Sequence, residues 1–323
     1  MGMMRVIAEN TRVDVPTDTG LRRWFNLRGW SDITIATPYL WLLIFFLIPF
    51  LIVVAMSFAT RTPTAPPFSF GGDYPLFNTE NYARLFGDSL YLRAFLTSIK
   101  NAAFATVMCL LVGYPMALGL TRVSRSRRSI LLMLVILPFW TSFLLRVYAW
   151  MGLMGTNSWF NKLLTAAYNM VTPDDWALRS ILMMNTNFAV VLVTVYSYLP
   201  FMILPLYANL EKLDLTLNEA AEDLGSRPFR VFLDVTLPLS LPGIIAGGLL
   251  VFIPASGELI IPGLVGNPSQ PMIGRVISDE FASARDWPMA SAVAVALLLL
   301  LVVPMMLYTH FDAKAHEKKA MEP

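Results

Sequence analysis

The 323-residue sequence carries too few polar side chains to cover a water-soluble protein of its size. Hydrophobic residues make up 56% and charged residues 14%, with a formal net charge of +2, whereas soluble domains carry roughly 25% charged residues. This composition excludes a soluble enzyme and a disordered regulator, the lone Cys109 excludes an internal disulfide, and the small net charge gives no reason to expect a nucleic-acid partner.

A membrane-spanning helix needs about 20 mainly apolar residues. Six stretches of the chain meet this requirement, and we predict helices near residues 36–57, 96–120, 129–154, 181–207, 243–264 and 288–310. The sequence therefore predicts an all-α integral membrane protein in contact with lipid. Its domains are a cytoplasmic segment 1–34, a six-helix membrane domain 35–310 and a cytoplasmic tail 311–323. The polar segment 1–34 has no signal-peptide core, so we expect the first helix to be a retained anchor.

The distribution of basic residues predicts the orientation of these helices. With the N-terminus inside, the cytoplasmic segments hold 15 Lys and Arg and the outer segments hold 7. Cytoplasmic loops are enriched in these residues, so both termini are predicted to be cytoplasmic. Residues 61–93 then form an outer segment, rich in proline and glycine at first and ending in a short amphipathic helix from Asn78 to Phe95.

Two charged residues fall inside predicted membrane helices. Arg146 lies 17 residues after Ser129, and Glu258 lies 15 residues after Gly243, so straight helices would place both at similar depth. We predict either that the two form a structural ion pair or that Glu258 faces a transport path. Pro254 precedes Glu258 and removes one helical hydrogen bond, and broken helices at membrane depth are tolerated where they are buried or line a cavity.

Motifs for catalysis and cofactor binding are missing from the sequence. No phosphate-binding GxxxxGK[ST] stretch, no HExxH or GxSxG motif and no paired-cysteine spacing occurs. We therefore predict a non-catalytic protein that binds neither a metal nor a cofactor. Energy for uphill transport would have to come from a partner or from an ion gradient.

Residues 209–242 form the longest internal cytoplasmic segment, and their pattern predicts two short helices at a sharp angle. Asn218 is a possible N-cap, Gly225 can take the left-handed conformation that ends a helix, and Pro228 prevents its continuation. Leu224 and Phe229 are then exposed near the bend. An exposed apolar knob of this kind is suited to seat in the groove of a partner.

The spacing within this segment is the most specific signal in the chain. Glu219, Ala220 and Ala221, then Gly225, and nine residues later the run 235–238 ending in Pro238, resemble the EAA loop of binding-protein-dependent ABC importer permeases. Only Val235, where that family has Ile, departs from the pattern. The resemblance implies the type I importer permease fold. It also implies that the loop docks on a cytosolic ATPase dimer, which binds ATP and Mg, through Glu219, Ala220, Ala221, Leu224, Gly225 and Pro238.

Two further stretches resemble a narrower group, the polyamine (putrescine/spermidine) permeases and specifically the first permease subunit. They are residues 137–150 and a region from 252 to 304 that includes IPASGELIIPGLVG (253–266). This resemblance implies a second permease subunit, a periplasmic polyamine-binding protein and a bacterial inner-membrane location. A path for a polycation should combine carboxylates with aromatic faces, so its predicted residues are Glu258, Trp140, Tyr148 and Trp150. A permease for another solute, such as sulfate or ferric iron, and a gradient-driven carrier remain as alternatives.

Overall fold

The protein is almost entirely helical in the computed structural model, which describes residues 30–71, 74–173, 176–214 and 216–321. The chain divides into two units, residues 1–52 and 53–323. The described part of the first unit is a helical run in which α1 (Trp30–Leu42) passes through a π-helical turn (Leu43–Leu47) into α2 (Ile48–Met56), which ends in the second unit. Most of the predicted cytoplasmic segment 1–34 lies outside the described residues.

The second unit contains two short strands, β1 (Thr60–Arg61) and β2 (Phe68–Ser69), which pair antiparallel. Its helices up to residue 210 are α3 (Glu80–Gly87), α4 (Ser89–Arg122), α5 (Arg125–Ile136), α6 (Phe143–Met154), α7 (Trp159–Val171) and α8 (Asn187–Leu210). The remaining helices are α9 (Thr216–Asp223), α10 (Pro228–Val231), α11 (Leu237–Leu239), α12 (Leu241–Ser256), α13 (Ile260–Val265), α14 (Ile273–Ser278) and α15 (Trp287–Met321).

Several helices are long and apolar enough to cross a membrane, which confirms the all-α membrane architecture. Among the described residues, three do so unbroken: Ala36–Met56, Ser89–Arg122 and Asn187–Leu210. Two bent pairs and a shorter apolar helix, Trp287–Val302, add to these. All overlap the predicted spans, but the first arm of one bent pair, Pro228–Leu239, lies in the predicted cytoplasmic loop 209–242. Helix α4 begins seven residues before the predicted start at 96 and absorbs the end of the predicted outer helix, which is reduced to α3.

The predicted continuous helix 129–154 is wrong, because the chain breaks between α5 and α6 with a bend of 90°. A 3₁₀ turn, Leu137–Trp140, follows α5, and Thr141 then takes an extended conformation. The Pro138 carbonyl accepts both the Thr141 hydroxyl (2.8 Å) and the Thr141 backbone N–H (3.3 Å), which closes the turn. The similar membrane depth predicted for Arg146 and Glu258 therefore no longer follows, because it assumed a straight third helix.

Buried side chains form three clusters that join helices distant in sequence. The first joins α4, α8 and α12 and consists of Cys109, Tyr114, Ala117, Leu120, Met202, Ile203, Leu206, Tyr207, Leu210 and Val251. The second joins α6, α8 and α13 through residues that include Val147, Met154, Val190, Val193, Ile261 and Val265. The third joins α3, α4, α14 and α15 through Leu85, Tyr91, Ala94, Ile273, Val276, Met289 and Val293.

Helices α8 and α12 approach each other closely along a seam of glycines. A Cβ atom added to Gly243 would lie 2.7 Å from the Cβ of Asn209. One added to Gly247 would lie 2.9 Å from the sulfur and 3.0 Å from the carbonyl oxygen of Met202. Small residues four positions apart let the backbones of membrane helices pack in this way, so this seam tolerates no side chain.

The predicted outer segment is fastened to the start of α15 by a buried carboxylate. Asp286 is 2% exposed and pairs with Arg84 (3.2 Å) and Arg61 (3.5 Å). It also accepts a hydrogen bond from the backbone N–H of Met289 (3.1 Å), near the start of α15. Because burying a charge is costly unless it is paired, this arrangement holds β1 and α3 in place.

Candidate functional site

The segment between α8 and α12 folds as two short helices that meet at a sharp bend, as the sequence predicts. None of the described residues of α9 is buried, and the two apolar side chains at the bend, Leu224 and Phe229, are 88% and 71% exposed. Glu219 and Ala220 are exposed as well, and Ala221 is half-buried. The six residues predicted to dock on an ATPase are therefore all accessible, since the remaining two, Gly225 and Pro238, are exposed as well.

Gly225 makes the bend possible, because its φ of +88° lies in the left-handed region that side chains disfavour. The backbone N–H of Gly225 donates to the Glu222 carbonyl (2.8 Å), and the N–H of Ser226 donates to the Ala221 carbonyl (3.1 Å). These two bonds form a Schellman motif, which satisfies the last carbonyls of α9. The Ala-Gly spacing of the sequence motif is thus the spacing that this helix end requires.

The N-terminus of α9 is capped by a different residue from the one predicted. Asp214, and not Asn218, accepts the hydrogen bond from the Thr216 backbone N–H (3.0 Å), so the helix begins at Thr216, three residues before the start that an Asn218 cap would give. This backbone hydrogen bond lowers the pKa of Asp214 below its ordinary value. The Asn218 side chain instead accepts from the Thr236 hydroxyl (3.2 Å) and links α9 to the returning helix.

The returning helix packs against α4. After α10 the chain passes through a π-helical turn, Phe232–Thr236, and into α11, where Pro238 lies in the first turn. The hydroxyls of Tyr114 and Ser240 are hydrogen-bonded (2.9 Å), and the Tyr114 ring contacts Phe232 edge to face at 5.5 Å between ring centroids. A cavity of about 490 Å³ remains between the two short helices and the ends of α4 and α8.

Glu258 lies at the break between α12 and α13 and is 8% exposed. One carboxylate oxygen accepts a hydrogen bond from the Tyr198 hydroxyl. The other accepts the backbone N–H groups of Ile260 (3.0 Å) and Ile261 (3.4 Å), which have no helical partners at the start of α13. The carboxylate is thus held by Tyr198 and by the helix end that it caps.

The backbone of this break is covered by α14. A Cβ atom on Gly274 would lie 2.3 Å from the carbonyl oxygen of Gly257 and 2.7 Å from that of Glu258. Only glycine permits so close an approach. The break is therefore packed inside the helical unit.

The predicted ion pair between Arg146 and Glu258 is not formed. The five ion pairs found in the described part of the chain include neither residue. Arg146 is 8% exposed, and its guanidinium lies over the rings of Phe139 (5.4 Å) and Phe143 (5.6 Å). The 90° bend before α6 changes where this side chain points relative to a straight helix, and cation–π contacts replace the carboxylate.

Aromatic rings connect the two charged residues indirectly. Phe139 packs edge to face against Phe201 (5.0 Å), and Phe201 packs against Tyr198 (6.0 Å), which holds Glu258. Sequence reasoning missed Tyr198, because 60 residues separate it from Glu258 and no local pattern signals the contact.

The three predicted path aromatics occupy different environments. Trp140 and Tyr148 are 75% and 50% exposed, one at the break and the other on α6. Trp150 is half-buried and packs against Tyr196 at 5.5 Å between ring centroids. Within the described residues, no group of three or more His, Cys, Asp or Glu side chains could hold a metal ion.

Comparisons with known proteins relate most of the chain to membrane transport components. Residues 110–317 match the family described as "Binding-protein-dependent transport system inner membrane component". The chain is 39% identical over 294 residues to the spermidine/putrescine transport system permease protein PotB of Haemophilus influenzae, covering 90% of this chain and 97% of that protein. It is 37% identical over 282 residues to PotB of Escherichia coli K12, covering 87% and 98%.

More distant similarities extend to importers with other names. The molybdenum transport system permease protein ModB of Mycobacterium bovis is 33% identical over 215 residues, which is 65% of this chain and 74% of that protein. A crystal structure of a bacterial alginate ABC transporter, in complex with an alginate pentasaccharide-bound periplasmic protein, superposes with a TM-score of 0.66 at 16% identity. That match covers 89% of this chain and 96% of the matched chain, and it supports the fold alone.

Proposed function

The chain belongs to the family of binding-protein-dependent transport system inner membrane components, and from this membership we propose that it is the membrane subunit of an ATP-driven polyamine importer. It moves putrescine or spermidine inward from a periplasmic binding protein. Its partners are a second permease subunit and a cytosolic ATPase dimer that binds ATP and Mg. The protein itself hydrolyses nothing.

The observation that carries the polyamine substrate is the 39% identity to the Haemophilus influenzae permease across 97% of that protein's length. The molybdenum permease matches over a smaller share of both chains, so it weighs less. A gradient-driven carrier is disfavoured, because membership in this family and the coupling loop both belong to transport powered by a partner.

Exposure of the bend supports its proposed role in ATPase docking. Leu224 and Phe229 present apolar surface that no described residue covers, and the Gly225 bend fixes the angle between the helices that carry them. In this proposal the loop 209–242 lies on the cytoplasmic side, as do both termini, and residues 61–93 face the periplasm. The 15-to-7 distribution of Lys and Arg supports this orientation.

For the substrate path, the exposed aromatic faces of Trp140 and Tyr148 are the stronger proposals. A polyamine offers ammonium groups and methylene stretches, and both interact favourably with aromatic rings. Glu258 remains a proposed path residue only if Tyr198 releases it during transport, because its oxygens are engaged by the Tyr198 hydroxyl and two backbone N–H groups. Trp150 already packs on Tyr196 and offers less free surface.

Co-purification and uptake together test the proposed function. An affinity-tagged chain, expressed from its native host with its partners, should retain a cytosolic ATPase after detergent extraction. Cells that lack this chain should lose uptake of labelled putrescine or spermidine and regain it from a plasmid copy. The proposal would be refuted if the chain inserts in the membrane but no ATPase co-purifies with it. It would also be refuted if polyamine uptake does not depend on the chain.

A further inference from the structure

One guanidinium joins three parts of the fold at the place where the coupling loop begins. Arg128, in the first turn of α5, donates to the carbonyls of Thr121 (2.9 Å) and Val123 (3.4 Å) at the end of α4. The same side chain forms an ion pair with Glu211 (2.7 Å) and contacts Tyr207, whose hydroxyl is 3.5 Å away. It therefore links α4 and α5 to the end of α8.

The position of Glu211 is unfavourable without this partner. Glu211 is the residue at which α8 ends, and the C-terminal end of a helix carries a partial negative charge that repels an acidic side chain. The guanidinium of Arg128 lies 2.7 Å from the Glu211 carboxylate, and this attraction offsets the repulsion from the helix end. The guanidinium also donates to two carbonyls at the C-terminus of α4 and adds a second positive charge there beside Arg122.

The other attachments of the loop are apolar, because Leu213, Phe232 and Leu237 pack against the buried cluster of α4, α8 and α12. The described residues of α9 include no buried side chain, and the cavity of about 490 Å³ separates α9 and α10 from the ends of α4 and α8. The far end of the loop is attached by the hydrogen bond between Tyr114 and Ser240 (2.9 Å). Tyr114 lies on α4, so both ends of the loop are held against the same helix.

We propose that Arg128 is a positioning residue that fastens the start of the coupling loop to α4, so that displacement of the loop by the ATPase moves α4 together with α8. The proposal rests on the proposed function and names the contact through which ATP hydrolysis is coupled to transport. Without Arg128 the loop still docks on the ATPase. Its displacement then moves the end of α8 relative to α4, and less of the movement reaches α4.

The test uses the complete importer, reconstituted in liposomes, with ATP hydrolysis and labelled putrescine uptake measured on the same preparation. Arg128→Gln removes the charge, and Glu211→Gln removes its partner from the other side. Tyr114→Phe loosens the far end while keeping the ring against Phe232. Arg127→Gln is the matched control, because it removes the same charge from the same turn and Arg127 forms no ion pair within the described residues.

In Arg128→Gln we expect the rate of ATP hydrolysis to stay within about twofold of the unmodified complex. The amount of putrescine taken up per ATP should fall at least about fivefold, which is the smallest effect typical of two coupled sites. Glu211→Gln should lower the same ratio, and the double variant should be no worse than Arg128→Gln. A spin label at Leu224→Cys should become more mobile in Arg128→Gln and remain unchanged in Arg127→Gln.

An unchanged ratio of uptake to hydrolysis in both Arg128→Gln and Glu211→Gln would overturn the proposal. So would a loss of assembly in Arg128→Gln accompanied by a normal ratio in Glu211→Gln and Tyr114→Phe, because Arg128 would then be needed only for folding. Failure of the proposed function is separate, since the unmodified complex would itself show no ATP-dependent uptake.

Discussion

Substitution of Gly225 separates the two ways in which the coupling bend can be damaged. The φ of this residue is +88°, and an added Cβ would meet no atom within 4 Å. Alanine therefore causes no collision, and its cost is the backbone strain of a left-handed L-residue, about 1–2 kcal/mol. That cost lowers the equilibrium constant for the bent, docking-competent conformation by a factor of about 5–30 and raises the apparent dissociation constant for the ATPase by up to the same factor.

Asparagine and aspartate provide the contrast, because both visit the left-handed region more readily than other side chains. We expect Gly225→Asn to stay close to the unmodified protein. Gly225→Asp adds a carboxylate to the exposed surface between Leu224 and Phe229, and we expect loss of ATPase association and of transport with membrane insertion intact. The difference between Asp and Asn measures the effect of charge, and the difference between Ala and Asn measures the effect of strain.

The assay compares the amount of ATPase retained per tagged chain, and the labelled putrescine uptake, at equal levels of chain in the membrane. Normal ATPase retention in all three variants would show that the bend is not part of the docking surface. Equal losses of ATPase retention in Gly225→Asn and Gly225→Asp would show that charge at this position is irrelevant. The loss could then not be attributed to the added carboxylate.

Three further predictions follow from the packing and from the proposed orientation. Gly247→Ala should lower the melting temperature of the purified complex and Gly248→Ala should not, since an added Cβ lies 2.9 Å from its neighbour in the first case and 3.8 Å in the second; equal melting temperatures would contradict the seam. Glu258→Gln should weaken thermal stability, and adding Arg146→Met should not restore it, because the two residues form no ion pair; recovery in the double variant would contradict this. A cysteine at Leu224 should react with a membrane-impermeant maleimide only in inside-out vesicles, and labelling of intact spheroplasts would reverse the orientation.

The features that the sequence predicts correctly are set by local chemistry. The bend at Gly225 follows from a helix stop and a proline within four residues, and hydropathy alone locates the apolar helices. The break before α6 is also encoded locally, by Pro138, Thr141 and Ser142, but the uniformly apolar surroundings hide it from a hydropathy count.

The features that the sequence does not predict depend on contacts between distant segments. Tyr198 reaches Glu258 across 60 residues, and Arg128 reaches Glu211 across 83. The ion pair predicted for Arg146 assumed straight helices, so the bend removes the premise. Asp214 and Asn218 are both good capping residues, and the choice between them is settled by the contact of Asn218 with Thr236 on the returning helix.

The glycine seam between α8 and α12 has a mechanical consequence for the loop that connects them. The loop 209–242 leaves from the end of α8 and returns at the start of α12, and near those ends Gly243 and Gly247 bring the backbone of α12 against Asn209 and Met202 of α8. Prying these helices apart or sliding one along the other would disturb a seam in which the backbone carbonyls of Pro205 and Met202 take part as well as side chains. If the proposed ATPase docks at Leu224, a displacement of the bend would therefore move α8 and α12 together and would not slide one helix past the other.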